Sequence, residues 1–121
     1  MERVDEFLVA ERSYSDDESK LSVGLANIHA DVPGIDANKD KILRAASIFK
    51  QRGVNIAVFP EFCLSGYFWG EREDCLAYMK QAVAENHAGW IESELQPLLG
   101  DDLEAIAVSY THLTLPTICS V

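Results

Sequence analysis

Glu61 is the residue around which chemistry could be built. It follows the nearly all-apolar run Val54-Asn-Ile-Ala-Val-Phe59 and Pro60, and it precedes Cys63 and Ser65-Gly-Tyr67. A carboxylate stationed where an apolar strand ends is expected to be partly withdrawn from water, which raises its proton affinity toward the range useful for proton transfer. The same side chain could instead serve the backbone, accepting hydrogen bonds from the N–H groups of Ser65, Gly66 and Tyr67. Other chemistry-bearing residues are scattered. Cys63, Cys75 and Cys119 show no Cys-x-x-Cys spacing, which reads as reduced thiols rather than a disulfide framework or a zinc site. His29, His87 and His112 are equally dispersed; a metal site needs several convergent ligands, so none is expected.

Positioning Glu61 falls to a strand–helix–strand unit. Leu21–Ile28 reads as a strand: Leu21, Val23 and Leu25 alternate onto one face, while Ala26 and Ile28 make the other apolar too, as in a strand covered on both sides. Pro33-Gly34 signals a turn, and Asp36 or Asn38 can cap the helix that follows. Within that helix Ile42, Ala45, Ala46 and Phe49 share one buried face, and Lys39, Lys41, Arg44, Lys50 and Arg52 mostly line the solvent side. Gly53 ends it, because a residue tolerant of positive φ fits cheaply there. Val54–Phe59 is then a second strand, parallel to the first in a right-handed βαβ unit. Pro60 lacks a backbone N–H and should stop the ladder. Glu61 therefore lies at the carboxyl edge of the sheet, where ligands collect in open α/β folds.

Further along, Leu76, Met79 and Val83 share a helical stripe. Trp90, Ile91, Leu95, Leu98 and Leu99 suggest another helix, ended by Gly100, and Glu104-Ala-Ile-Ala-Val108 begins a third strand. Residues 1–20 read as an acidic extension in which Val4, Phe7 and Leu8 form one short amphipathic turn and Ser13–Ser19 a solvated linker.

The chain has 121 residues, 48% hydrophobic and 25% charged, with a formal net charge of −10. That length suits one domain, and the apolar fraction is that of a globular one. So acidic a surface repels phosphate and disfavours nucleic acid as a partner. No apolar run reaches the roughly 18–20 residues of a membrane span, and the start Met1-Glu-Arg-Val-Asp-Glu6 lacks the marks of a signal peptide. A cytoplasmic location, with no membrane partner, is the expectation.

The stretch Ala57-Val-Phe-Pro-Glu-Phe-Cys-Leu-Ser-Gly-Tyr67 resembles the first signature of the nitrilase superfamily of carbon–nitrogen hydrolases: an apolar strand, Phe-Pro-Glu, then an apolar step to Ser/Thr-Gly-Tyr. The resemblance covers residues 21–107. It implies the N-terminal βαβ portion of an α/β, αββα-sandwich fold, here truncated, and a hydrolase that cleaves an amide, less readily a nitrile, with a Glu–Lys–Cys triad. In such enzymes a thiolate attacks the substrate carbon and forms a covalent intermediate. The glutamate moves the protons and activates water, and the lysine stabilises the tetrahedral intermediate. Glu61 matches the glutamate. The family lysine and cysteine lie on later strand ends, so Lys80, Cys63 and Cys75 are not expected to supply them, and the 121-residue chain alone is expected to be inactive. Tyr67 and Phe68, with Trp69 beside them, could wall the substrate pocket. The resemblance further implies a small-molecule amide or nitrile substrate, no metal or organic cofactor, and a homo-oligomeric parent.

After Glu104 no charged residue appears. Val108-Ser-Tyr-Thr-His-Leu-Thr-Leu-Pro-Thr117 resembles the translation of a transposase-delivered sequencing adapter, which makes 108–121 a non-native tail in which His112 and Cys119 carry no function. The rival is a natural strand, given its Val, Tyr, Thr, Leu and Ile. Two other functions compete with the hydrolase. A Rossmann-like nucleotide module would use Glu61 on a ribose hydroxyl, but Asn27–Gly34 lacks the Gly-x-Gly-x-x-Gly that lets backbone approach a pyrophosphate. A non-catalytic interaction protein of the same fold is the other.

Overall fold

The computed structural model describes residues 1–17, 19–67, 71–81 and 87–107, and they form a mixed α/β chain. In order they are β1 (Glu2–Val4), β2 (Phe7–Val9), β3 (Val23–Leu25), α1 (Ile35–Gln51), β4 (Ile56–Val58), α2 (Arg72–Gln81), α3 (Ala88–Trp90), a π-helical turn (Ile91–Leu95), α4 (Gln96–Leu99) and β5 (Glu104–Ile106). The expectations for Phe68, Trp69, Val83, His112, Cys119 and the 108–121 tail lie outside the described residues.

β3, β4 and β5 form one parallel sheet in that spatial order. Register places Gly24, Ala57 and Ala105 in one row across it. This row of small residues lets α1 approach closely: a Cβ on Gly24 would stand 2.6 Å from the Phe49 ring. Ile42, Ala45 and Ala46 of α1 pack there with Ala57, Phe59, Leu99 and Leu103 as one apolar core, the arrangement that periodicity in α1 implies.

The opposite face of the sheet corrects an expectation. Val23 and Leu25 share it with Ile56, Val58, Glu104 and Ile106, and no described element covers it. Val23 is 55% and Leu25 75% exposed, so β3 is covered on one side rather than two. It is also shorter than Leu21–Ile28, with Leu21 exposed ahead of it.

Helix α1 begins at Ile35 with Gly34 as its N-cap and no side-chain cap. Neither Asp36 nor Asn38 caps it: Asp36 already sits in the first turn, and Asn38 is buried and engaged elsewhere. At the far end Gly53, with φ +73°, terminates the helix as expected. The basic residues of α1 lie on its outer side as expected, Lys50 exposed and Lys39, Lys41, Arg44 and Arg52 half-buried, but they are engaged with neighbouring segments. Lys50 donates to the Leu98 carbonyl at 2.6 Å and Lys41 to that of His29 at 2.5 Å; Lys39 lies over the Trp90 ring.

Arg44 and Arg52 hold the N-terminal segment, and here the expected amphipathic turn is replaced by an antiparallel hairpin of β1 and β2. Pairing of Val4 with Phe7 and of Glu2 with Val9 puts these four side chains on one face, and Arg3 and Leu8 on the other. Val4, Phe7 and Val9 are half-buried while Leu8 is exposed. Arg44 pairs with Asp5, Glu6 and Asp40, and Arg52 with Glu2 and Glu11. Ile48, one turn from each arginine on the same flank of α1, is buried. The acidic composition of residues 1–11 is thus the complement of this arginine pair.

The stripe expected on α2 is also corrected. Leu76 is exposed and Met79 only half-buried, whereas Tyr78 is buried. The helical run over 88–99 and its end at Gly100, φ +64°, agree with the sequence.

Candidate functional site: the strand-end loop at Glu61

Strand β4 is central, and its last rung is the Phe59 N–H donating to the Ile106 carbonyl at 2.9 Å. Pro60 has no N–H to continue the ladder, and the chain turns. The turn is closed by Cys63 N–H to the Pro60 carbonyl at 3.2 Å and by Gly66 N–H to the Phe62 carbonyl at 2.7 Å. Gly66 has φ +70°, and a Cβ there would collide with the Val32 side chain. Only glycine satisfies both conditions cheaply.

Two buried polar side chains fasten this loop from behind. Asn38 is 1% exposed. Its Nδ2 donates to the carbonyls of Asp31 and Leu64, both at 2.8 Å, and its Oδ1 accepts from the Asp31 N–H at 2.7 Å. The Tyr78 hydroxyl donates to the Ser65 carbonyl. Burial raises the Tyr78 pKa above the usual phenol range, and the nearby Gly34 N–H offsets part of that rise. Asn38 and Tyr78 therefore tie α1 and α2 to the loop that presents Glu61. Sequence reasoning missed both roles. The available signals were an Asn inside an apolar helix face and one tyrosine among the charged residues of α2.

Phe62, Cys63, Leu64, Ser65 and Gly66 are all buried, and Glu61 is exposed. The expectation that the Glu61 carboxylate is withdrawn from water is corrected: the loop turns five consecutive residues inward and leaves Glu61 outside. Its Oε2 accepts a hydrogen bond from the Tyr67 hydroxyl at 2.8 Å, a side-chain partner rather than the backbone N–H groups of 65–67. The Tyr67 ring stands edge-on to Phe62, centroids 4.9 Å apart. The structure thus brings Glu61 and Tyr67 together at the carboxyl edge of the sheet. Phe68 lies outside the described residues.

Cys63 is near in sequence but belongs to the core, and burial pushes its thiol up to about 11. A thiol so disfavoured as thiolate is no nucleophile at neutral pH. Cys75 and Lys80 sit on α2, half-buried and exposed respectively. Among the described residues no group of three His, Cys, Asp or Glu side chains could hold a metal ion, and no helix is long and apolar enough to cross a membrane.

Fold and site together define a parallel α/β unit that displays a tyrosine-braced carboxylate at the end of its central strand. No family model matches the chain, and no match was found among curated proteins or solved structures.

Proposed function

We propose that residues 21–107 are the N-terminal part of a carbon–nitrogen hydrolase of the nitrilase superfamily, acting on amides in preference to nitriles, with Glu61 as its general base. The observation that carries this reading is the placement of Glu61, exposed at the carboxyl end of the central parallel strand on a loop anchored by Asn38 and Tyr78. The Tyr67 hydroxyl engages Oε2 and leaves Oε1 to exchange the proton. Glu61 takes the proton from a thiol as that thiol attacks the substrate carbon, delivers it to the departing ammonia or amine, and then activates water against the acyl intermediate. The thiol, and a lysine for the developing negative charge, come from strand ends beyond residue 107.

The uncovered sheet face supports the accompanying αββα architecture. An apolar face bearing Val23, Leu25, Ile56, Val58 and Ile106 is suited to a second sheet packed about 10 Å away. Association of the parent into a homo-oligomer and a cytoplasmic setting belong to the same proposal.

The test is to recover the continuous reading frame past codon 107, express the whole protein and assay ammonia release from amides. A cysteine and a lysine at later strand ends are expected, and Glu61→Gln should lower kcat by about 10²–10⁴-fold, the contribution of a positioned general base. A whole protein without that cysteine, or a Glu61→Gln variant with full activity, overturns the proposal. The 121-residue chain should show no turnover, and turnover lost on Cys63→Ala would mean the nucleophile has been misplaced.

A further inference from the structure

The β1–β2 hairpin forms a two-stranded sheet of its own, separate from the sheet of β3, β4 and β5. Its hold on the domain is made by side chains on one flank of α1. All four carboxylates of residues 1–11 pair with two arginines there, Asp5 and Glu6 with Arg44, and Glu2 and Glu11 with Arg52. The Arg44 guanidinium also lies over the Phe7 ring, 5.9 Å from its centroid. Arg44, Ile48 and Arg52 occupy successive turns of one row on α1. Ile48 is buried yet is not part of the main core, which places it beneath the hairpin that both arginines clasp.

This attachment is separable for three reasons. Apolar contact is modest: Val4, Phe7 and Val9 are only half-buried, and Leu8 faces solvent. The ion pairs are open to screening, because the arginine side chains are 34% and 28% exposed and their hairpin partners 43% to 73%. Residues 12–17 and 19–21, which lead on to β3, are exposed, and the hydrogen bonds they make run within that segment. Ser13 Oγ donates to the Ser15 carbonyl at 2.8 Å, and the Lys20 N–H to the Asp17 carbonyl at 3.2 Å. Extended, residues 12–21 reach about 35 Å, so the hairpin can leave α1 without disturbing β3. Leaving also melts it, since a lone two-stranded hairpin is marginal in water.

We propose that residues 1–11 are an ion-latched strap. The hairpin lifts from α1 as a unit when ionic strength screens its arginine pairs, baring Ile48 between two positive charges and leaving the rest of the fold in place. The screening length falls from about 10 Å at 0.1 M salt to about 3 Å at 1 M, and the latch releases over that range. Docking through Phe7 and the valines alone would hold equally well or better in the higher salt.

Amide hydrogen exchange of the full chain near pH 7, read by mass spectrometry in 0.1 M and 1 M sodium chloride, tests this. Exchange over 2–9 should quicken about tenfold or more in 1 M salt, the product of several exposed pairs each worth a small factor. Exchange over 36–51 and 56–59 should keep its rate. Arg44→Gln combined with Arg52→Gln should make 2–9 exchange fast already at 0.1 M and remove the salt response. No protection over 2–9 at 0.1 M, unchanged or slower exchange there in 1 M, quickening of all segments together, or a salt response that survives in the arginine variant overturns the proposal. Should that variant fail to fold, Glu2→Gln combined with Glu11→Gln decides. Both side chains are exposed, and an unaltered rate over 2–9 in this second variant overturns the proposal equally.

Discussion

Replacing Asn38 by alanine tests whether the Glu61 loop is held by polar clamps or by apolar packing. Three hydrogen bonds of 2.7–2.8 Å disappear. The Asp31 N–H and the Asp31 and Leu64 carbonyls lose their partner at a position only 1% exposed. A net value near 1 kcal/mol per bond, with an added penalty for stranded buried groups, sums to a loss of about 3–5 kcal/mol. Against a total stability on the order of 5–15 kcal/mol, that is a large fraction. Urea denaturation followed by circular dichroism should show the midpoint fall accordingly at constant m. Asn38→Asp sharpens the test. It keeps an acceptor for the Asp31 N–H but turns an oxygen toward two carbonyls and buries a charge, so it should cost at least as much as alanine. A loss below about 1 kcal/mol for Asn38→Ala, or wild-type stability for Asn38→Asp, would refute the clamp.

Two further outcomes are expected. Burial holds the Cys63 thiol near 11 against about 9 in the unfolded chain. The folded state therefore binds this proton more tightly, and its contribution is intact below pH 9, declines between pH 9 and 11 and is gone above. At about 1.4 kcal/mol per unit the ceiling is about 3 kcal/mol. Wild type should lose stability relative to Cys63→Ala across that window, and parallel pH profiles would contradict the assignment. Gly24→Ala should cost about 1–3 kcal/mol, because its Cβ would meet the Phe49 ring at 2.6 Å; Phe49→Leu should recover part of the loss, and a neutral Gly24→Ala would show that the ring yields freely.

Several features were legible from local pattern alone. The α1 core face of Ile42, Ala45, Ala46 and Phe49 follows from period 3.6, its end from Gly53, and the strand at Ile56–Val58 from an apolar run closed by proline. The N-terminal hairpin was not, because three-residue strands carry too short an alternation to register, and its partner is an arginine pair 39 to 50 residues away. Nor was the exposure of Val23 and Leu25: an apolar strand announces that it can be covered, not that anything covers it. The Glu61 environment was misjudged for a related reason. Proximity to an apolar strand end says nothing about which side of a turn faces water, and the turn over 61–66 sends its next five residues inward instead.

Local composition by itself determined where α1 and the central strand β4 form, that this strand is apolar, and that Glu61 follows close on its end, since each depends on dihedral preference and periodicity within a few residues. Only tertiary structure decided that Asn38 and Tyr78 reach across to hold the Glu61 loop and that Tyr67 braces the carboxylate. These are contacts between residues six to twenty-six or more positions apart. Their existence depends on how elements pack, and packing is a property of the whole chain rather than of any window within it.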